Sequence, residues 1–407
     1  MKTVWLLNHY AQEPGGPGGT RHFSLARHLR MLGWRAIIIA SSVEHGTGRQ
    51  RLAGEEKWQQ DTYDGVEFLW LRGETYAGNG DDRIRNMLAY THAALRIPSV
   101  VLPAPDIVVG SSVHPFAAWA GQRLAKRFAV PFVFEIRDLW PQTLIDMGRL
   151  KPNHPMTLAL RWLERWLCDR ACSIVTLLPY AHRYLETIGT PAERIFWVSN
   201  GVEVFGEPSQ RDTRSEGQPF TLMYFGAHGA ANGLDNVLRA MRLLLDRKNI
   251  PLIQLRLIGD GPEKPALLAM AADWRLTNVS FEPPVKKAEI PALAAQADAF
   301  VFNLIDAPVF AYGISSNKLF DYMAAERPII FCCDSTNNPV ADAHAGVTVQ
   351  PGRPDELADA IVAIAGKSPE ERAAIGKAGR AHVVANYSYD VLSAKFAAVL
   401  NECVKSR

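Results

Sequence analysis

KTVWLLNHYAQEPGGPGGTRHFSLARHLRMLG, residues 2–33, decides the fold. It opens on a short apolar run, spends four glycines and two prolines over Pro14–Gly19, and enters an amphipathic stretch at 20–33. Strand, glycine loop and helix in that order start a βαβ unit. Gly16, Gly18 and Gly19 lack Cβ atoms, so backbone N–H groups in the loop can come close to something negative. The helix that follows, with Thr20 as a candidate cap, carries partial positive charge at its N-terminus, and Arg21 adds a full one. A tight turn with no ligand is the bland alternative. The loop is no nucleotide P-loop, because G-x-x-x-x-G-K-[ST] is absent. It fails as a dinucleotide fingerprint too, since Arg21 takes the third glycine position and no acid closes the second strand, IIIASS at 37–42.

Outward from this stretch the same alternation continues. Apolar runs at 35–41, 66–71, 106–112, 131–138, 173–178 and 194–202 are mostly followed by helical patterns, among them 82–97, 115–128, 155–171 and 180–188. Residues 203–218 are polar and without period. The alternation restarts with strands at 219–227, 252–261, 278–283, 298–304 and 327–333 and helices at 233–247, 263–273, 286–296 and 315–325, then a helical tail. Strand–helix alternation of this kind predicts parallel sheets covered on both faces, with ligands at the carboxyl ends of the strands. The expected organisation is a first domain over 1–203, a linker at 204–218, a second domain over 219–385 and a closing helix at 386–407 packing back towards the first domain.

A chain of 407 residues, 48% apolar and 21% charged, is a globular composition of two domains' length. Net charge is only +2, which gives no case for nucleic acid. The charge is unevenly shared: residues 1–204 hold 23 Lys and Arg against 19 acids, and residues 205–407 hold 21 against 23. The basic first half suits an anionic partner. Residues 82–102 mix Arg83, Arg85 and Arg96 with apolar residues, which fits either a core-packed helix or a membrane-surface helix. No window is long and apolar enough to span a bilayer, and VWLL is too short for a signal peptide. The expected location is the cytoplasm, free or peripheral on the membrane. Five cysteines fit no metal spacing and read as buried thiols.

Several loops carry candidate chemistry. His114 follows a strand and starts a helix. Glu135, Arg137 and Asp138 close the next strand, where they line a site or pair with one another. In the second half, YFGAHGAANGLDN (224–236) and LIGDGPE (257–263) end strands in glycine turns. In FAYGISSNKLFDYMAAERPIIF (310–331), Ser315, Ser316 and Asn317 offer caps and backbone donors. Lys318 sits in the first turn of a helix, unfavourable unless an anion such as a diphosphate is bound there. Asp321, one turn on, suits ribose hydroxyls; a surface ion pair is the alternative.

Taken together, GGPGGTR, His114, SNGVE (199–203), GDGPE (259–263) and LFDYMAAERPII (319–330) resemble the retaining glycosyltransferases of family 4, of GT-B fold. The resemblance spans nearly the whole chain. GISSNKLFDYMA is similar to a bacterial branch that builds surface polysaccharides such as O-antigen and capsule, including N-acetylfucosamine-type transferases. It implies an α/β fold of two Rossmann-like doubly wound domains facing across a cleft. It implies a nucleotide-diphosphate sugar donor, UDP-linked, held by the second domain, with a polyprenyl-diphosphate-linked or oligosaccharide acceptor at the first, and no cofactor. By position, Asp321 matches the second acid of E-x7-E, which holds the ribose. Lys318 and Asn317 would face the diphosphate, with Ser316 and Leu319 in the same turn. Gly226, Gly259, Gly261 and Glu263 would line the donor and Val285 the base. His114 and the loop Gly16–Gly19 would meet the sugar and acceptor, Asp138 matches a strand-end polar position of the first domain, and the phosphate grip falls to Lys318 and Arg21; Glu135 stays a substrate-binding candidate by its strand-end position. The pattern departs at Gly313, where the first acid should fall; at Ala227 or His228 and Asn232, where phosphate-gripping Arg and Lys are usual; and at Glu326, where glycine is usual. No D-x-D pair occurs, so no metal is implied. His114, Asp138 and Lys318 are the catalytic candidates. Other readings are a non-hydrolysing nucleotide-sugar epimerase and a nucleotide-sugar-binding protein without turnover.

Overall fold

The computed structural model describes residues 1–16, 20–44, 47–76, 81–204 and 217–405. The chain forms two units: Met1–Gly201 with Tyr312–Ser315 and Tyr389–Arg407, and Val202–Ala311 with Ser316–Ser388.

In the first unit the strands are β1 (Lys2–Leu7), β2 (Trp34–Ser41), β3 (Trp58–Tyr63), β4 (Val66–Leu71), β5 (Ile107–Ser111), β6 (Phe132–Ile136), β7 (Ser173–Thr176) and β8 (Ile195–Trp197). Its helices are α1 (Arg21–Met31), α2 (Asp81–Leu95), α3 (Pro115–Phe128), α4 (Gln142–Asp146), α5 (Pro155–Arg170) and α6 (His182–Thr187). The strand order is β3-β4-β2-β1-β5-β6-β7-β8, parallel except for the β3–β4 hairpin at the edge. Successive side chains on β1 enter opposite layers. Trp5 and Leu7 join one cluster under α2, α3 and α5, while Val4 and Leu6 join another under α1. Each fully buried side chain of this size contributes roughly 1.5–3 kcal/mol.

The second unit holds β9 (Phe220–Phe225), β10 (Ile253–Ile258), β11 (Val279–Glu282), β12 (Ala299–Asn303), β13 (Ile329–Cys332) and β14 (Gly346–Val349). The helices are α7 (Leu234–Leu245), α8 (Lys264–Asp273), α9 (Ile290–Ala294), α10 (Asn317–Ala324), α11 (Pro339–Asp342), α12 (Pro354–Ala365) and α13 (Pro369–Tyr387). The order is β11-β10-β9-β12-β13-β14, all parallel. The last helix, α14 (Tyr389–Lys405), belongs to the first unit, where Leu392, Phe396 and Leu400 are buried in the cluster with α1.

Four expectations need correction. The region after 333 is not a purely helical tail, because β14 lies within it. The amphipathic segment at 82–102 is helical only to Leu95, since Pro98 cannot continue it. An edge hairpin strand, β3, precedes β4. The cysteines are not all thiols: Cys172 and Cys403 form a disulfide across 231 residues, leaving Cys168, Cys332 and Cys333 free and buried. That pair meets only because α14 returns to the first unit. Most of the expected linker, 204–218, falls on residues 205–216, outside the described residues.

Candidate active site

In each sheet the connections reverse direction at one place, between β1 and β5 in the first unit and between β9 and β12 in the second. Loops diverge there at the carboxyl ends of the strands, which is where ligands bind in open α/β sheets.

In the first unit, Asn8, His9 and Tyr10 leave β1 and His114 follows β5. His114 caps α3: its Nδ1 accepts from the Ala117 N–H at 3.3 Å. The ring proton therefore sits on Nε2 and is donated to His9 Nδ1, 2.6 Å away. Burial pushes His114 down to about 3, with Arg83 adding to the effect, so it stays neutral. His9 is stacked between Tyr10 and Tyr90, with ring centroids at 4.3 and 4.5 Å. His114 is thus a cap and a support for His9; both its nitrogens are committed.

Arg21 and Glu135 are brought together, away from solvent. Arg21 Nε donates to Glu135 Oε1 at 3.0 Å, Nη2 to the Val198 carbonyl at 2.9 Å, and Nη1 to the Ser199 carbonyl. Asn8 Nδ2 donates to His22 Nδ1 at 2.7 Å, which leaves His22 Nε2–H to donate to Glu135 Oε2 at 2.7 Å. Burial pushes the Glu135 carboxyl up, but His22 and Arg21 beside it outweigh that and hold it well below the usual range. These side chains are fully buried, so the charge expected of Arg21 for a ligand is spent on tying α1 to β6 and to the end of β8. His22 and Asn8 were not legible as members of this network. A sequence gives no sign that a helical histidine meets a strand-end acid over 100 residues away. Asp138, by contrast, is exposed after β6. Gly16 packs on the Gln12 side chain, and Gly18 and Gly19 lie outside the described residues.

In the second unit the centre is Lys318, in the first turn of α10. Its ammonium donates to Tyr224 Oη at 2.9 Å and to Asn232 Oδ1. It lies over the Tyr224 and Phe302 rings, 4.6 and 5.3 Å from their centroids. Tyr224 and Phe302 lie next to the carboxyl ends of β9 and β12, so the lysine stands at the reversal point. Burial pushes its pKa down to about 7. Neutral oxygens and ring faces surround this cation, and an incoming anion would restore its charge. The flanking loops are held by glycines. A Cβ on Gly259 would lie 2.0 Å from the Gly226 carbonyl oxygen, and one on Gly261 2.5 Å from that of His228. Gly259 and Gly261 are needed chiefly to let the two loops pack on each other. A Cβ on Gly226 would lie 3.2 Å from Lys318 Cδ, so that glycine keeps room beside the lysine.

Asp321 is bound by a residue the sequence did not single out. Lys287 Nζ lies 2.6 Å from both of its carboxylate oxygens. Glu263 and Val285 are exposed in the loops after β10 and β11. Ser316 and Asn317 are partly buried at the start of α10, whereas the Leu319 side chain is wholly in the core and can offer a ligand only backbone. His228 is buried beside Tyr224, and neither ring nitrogen has a hydrogen-bond partner among the described residues.

Two doubly wound sheets, parallel except for one edge hairpin, make the fold that of a GT-B glycosyltransferase. Residues 17–201 match the family model "Glycosyl transferase 4-like domain" and residues 219–367 match "Glycosyl transferases group 1". The chain belongs to this family, the GT4 glycosyltransferases. Among solved structures it is similar to sucrose-phosphate synthase from Thermosynechococcus elongatus, at 15% identity, full coverage of both chains and a TM-score of 0.76. It is also similar to Anabaena HepE in complex with UDP-glucose, at 14% identity, 99% and 100% coverage and a TM-score of 0.66. A third is α,α-trehalose 6-phosphate synthase from Burkholderia multivorans, at 12% identity, 100% and 97% coverage and a TM-score of 0.69. No curated protein sequence matches the chain.

Proposed function

We propose that this glycosyltransferase retains anomeric configuration, works without a metal, and moves a sugar from a UDP-linked donor to a hydroxyl of a lipid-linked or saccharide acceptor in surface-polysaccharide assembly. The sugar is of the N-acetylhexosamine type. Lys318 carries the proposal: it is a desolvated cation at a strand-end reversal point, held by neutral oxygens and rings rather than by a carboxylate. It neutralises the diphosphate as the bond from the anomeric carbon to the diphosphate oxygen breaks. The acceptor oxygen bonds to that carbon on the same face, and its proton passes to a donor phosphate oxygen. No side-chain nucleophile is needed. Asp321 meets the ribose while sharing its carboxylate with Lys287, and Asp138, which is exposed, orients the acceptor. The UDP-glucose complex of the similar HepE supports a uridine donor. The enzyme works against the membrane that carries its acceptor.

The test is turnover with UDP- and GDP-sugars, with and without polyprenyl-diphosphate-linked acceptors. Acceptor-dependent UDP release with a retained linkage is expected, and Lys318→Ala should weaken UDP binding and turnover together. Near-normal activity in folded Lys318→Ala removes the site. Donor isomerised without acceptor makes the chain an epimerase instead.

A further inference from the structure

The first unit also holds a groove lined by residues other than those of the strand-end cluster. It runs between α2 and the β3–β4 hairpin, with a volume of about 910 Å³. Its floor is apolar: Leu69, Leu71, Ala93 and Ile97. Its rim is cationic: Lys57, Arg72, Arg85 and Arg96, with His92 between, against one lining acid, Glu74, and Asp82, which lies 3.6 Å from the exposed Arg85 guanidinium. The Arg72 guanidinium is held by the neutral carbonyls of Ala53, Gly54 and Glu56, so its charge is left for another partner. Trp58 and Leu88, at the lip, are 41% and 50% exposed. Exposed apolar side chains thus flank a concave apolar floor with convergent charged groups, the form that ligand sites take.

Helix geometry gives the groove a direction. Arg85, Leu88, Ala89, His92, Ala93 and Arg96 recur at three- and four-residue spacing, so one stripe of α2 and its end faces the groove over roughly 16 Å. Two residues before Arg85, Arg83 leaves the stripe and donates to Tyr10 Oη at 3.2 Å. Tyr10 stacks on His9, the partner of His114. The same helix therefore links the groove to the strand-end cluster of this unit.

We infer that this groove binds the phosphorylated isoprenoid lipid that carries the acceptor, its hydrocarbon chain on the Leu69–Leu71–Ile97 floor and its phosphate against the Arg85 and Arg96 rim. Free phosphate would not need the floor, and a neutral alkyl chain would not need four cations. The assignment rests on the acceptor being lipid-linked, as proposed above.

The probe is farnesyl phosphate, titrated into the full-length protein by calorimetry. Farnesol, inorganic phosphate, and phosphatidylcholine vesicles with and without phosphatidylglycerol serve as comparisons. Farnesyl phosphate should bind at least tenfold more tightly than farnesol or inorganic phosphate. Leu88→Glu and the double change Arg85→Glu with Arg96→Glu should each weaken it at least tenfold while UDP binding stays unchanged. Both variants should raise KM for a polyprenyl-diphosphate-linked acceptor and spare a water-soluble short-chain acceptor. Equal binding by wild type and variants, equal binding of farnesol or phosphate, or binding only to anionic vesicles overturns the groove. Transfer to the short-chain acceptor without farnesyl phosphate binding would sink the groove and leave the proposed function standing. Farnesyl phosphate binding in the groove with no acceptor glycosylated would overturn the proposed function and leave the groove an isoprenoid-phosphate site alone.

Discussion

Lys318 poses the sharpest question of any single residue. Its ammonium donates to Tyr224 and Asn232, and burial lowers it to about 7. In the free protein it is therefore charged below about pH 7 and loses its proton above. A bound diphosphate favours the charged form, so binding above pH 7 must take up a proton. UDP affinity should be highest near pH 7 and fall as pH rises, by about tenfold for each unit by which binding raises the pKa and pH has passed the free value. Calorimetric titrations of UDP between pH 7 and 9 measure this, with proton uptake read from buffers of different ionisation enthalpy. Lys318→Arg, always charged, should flatten the profile. A flat wild-type profile would detach Lys318 from the diphosphate. The sequence offered this lysine because it stands against the helix dipole. It could not offer Arg21 correctly: a cation after a glycine loop looks available to a ligand until Glu135 is seen beside it.

Elements were legible where burial on both faces wrote an unbroken apolar run, as in VWLL of β1 or FVF of β6. They were illegible where burial was partial. β3, WQQDTY, is a half-exposed antiparallel edge with mostly polar residues, and β14, GVTV, is four residues long inside a helical context. The end of α10 carries a different signal. Glu326 follows its C-cap with φ at 57°, where the resembled family places glycine. A side chain in this left-handed conformation costs roughly 1–2 kcal/mol. The Glu326–Arg380 contact at 3.4 Å is partly exposed and offsets less than about 1 kcal/mol. Glu326→Gly should therefore stabilise the fold by up to about 1 kcal/mol after the entropy of the new glycine is charged. Urea midpoints at constant slope check this, and a lower midpoint would mean that the Arg380 contact outweighs the strain.

The chain builds its stability in separate cores. One sheet is sandwiched between α2, α3, α5 and α1, α14, and the other buries its own cluster with α7 and α12. The ligand groups proposed for the donor, Lys318, Asp321 and the loops after β9 and β10, all belong to the second unit. A ligand that binds only the native state raises stability by about 2.7 kcal/mol at a hundredfold excess over Kd. For a unit of this size that is a rise of order 5–10 °C in its melting temperature. Calorimetry should thus resolve two transitions, with UDP raising one and leaving the other in place. The Cys172–Cys403 disulfide identifies them, because it cross-links only the first unit. Cys403→Ser should lower the transition that UDP does not move, and Lys318→Ala should abolish the UDP shift without lowering that same transition. A UDP shift confined to the transition lowered by Cys403→Ser would place the nucleotide in the first unit and reverse the division of labour between the two sheets.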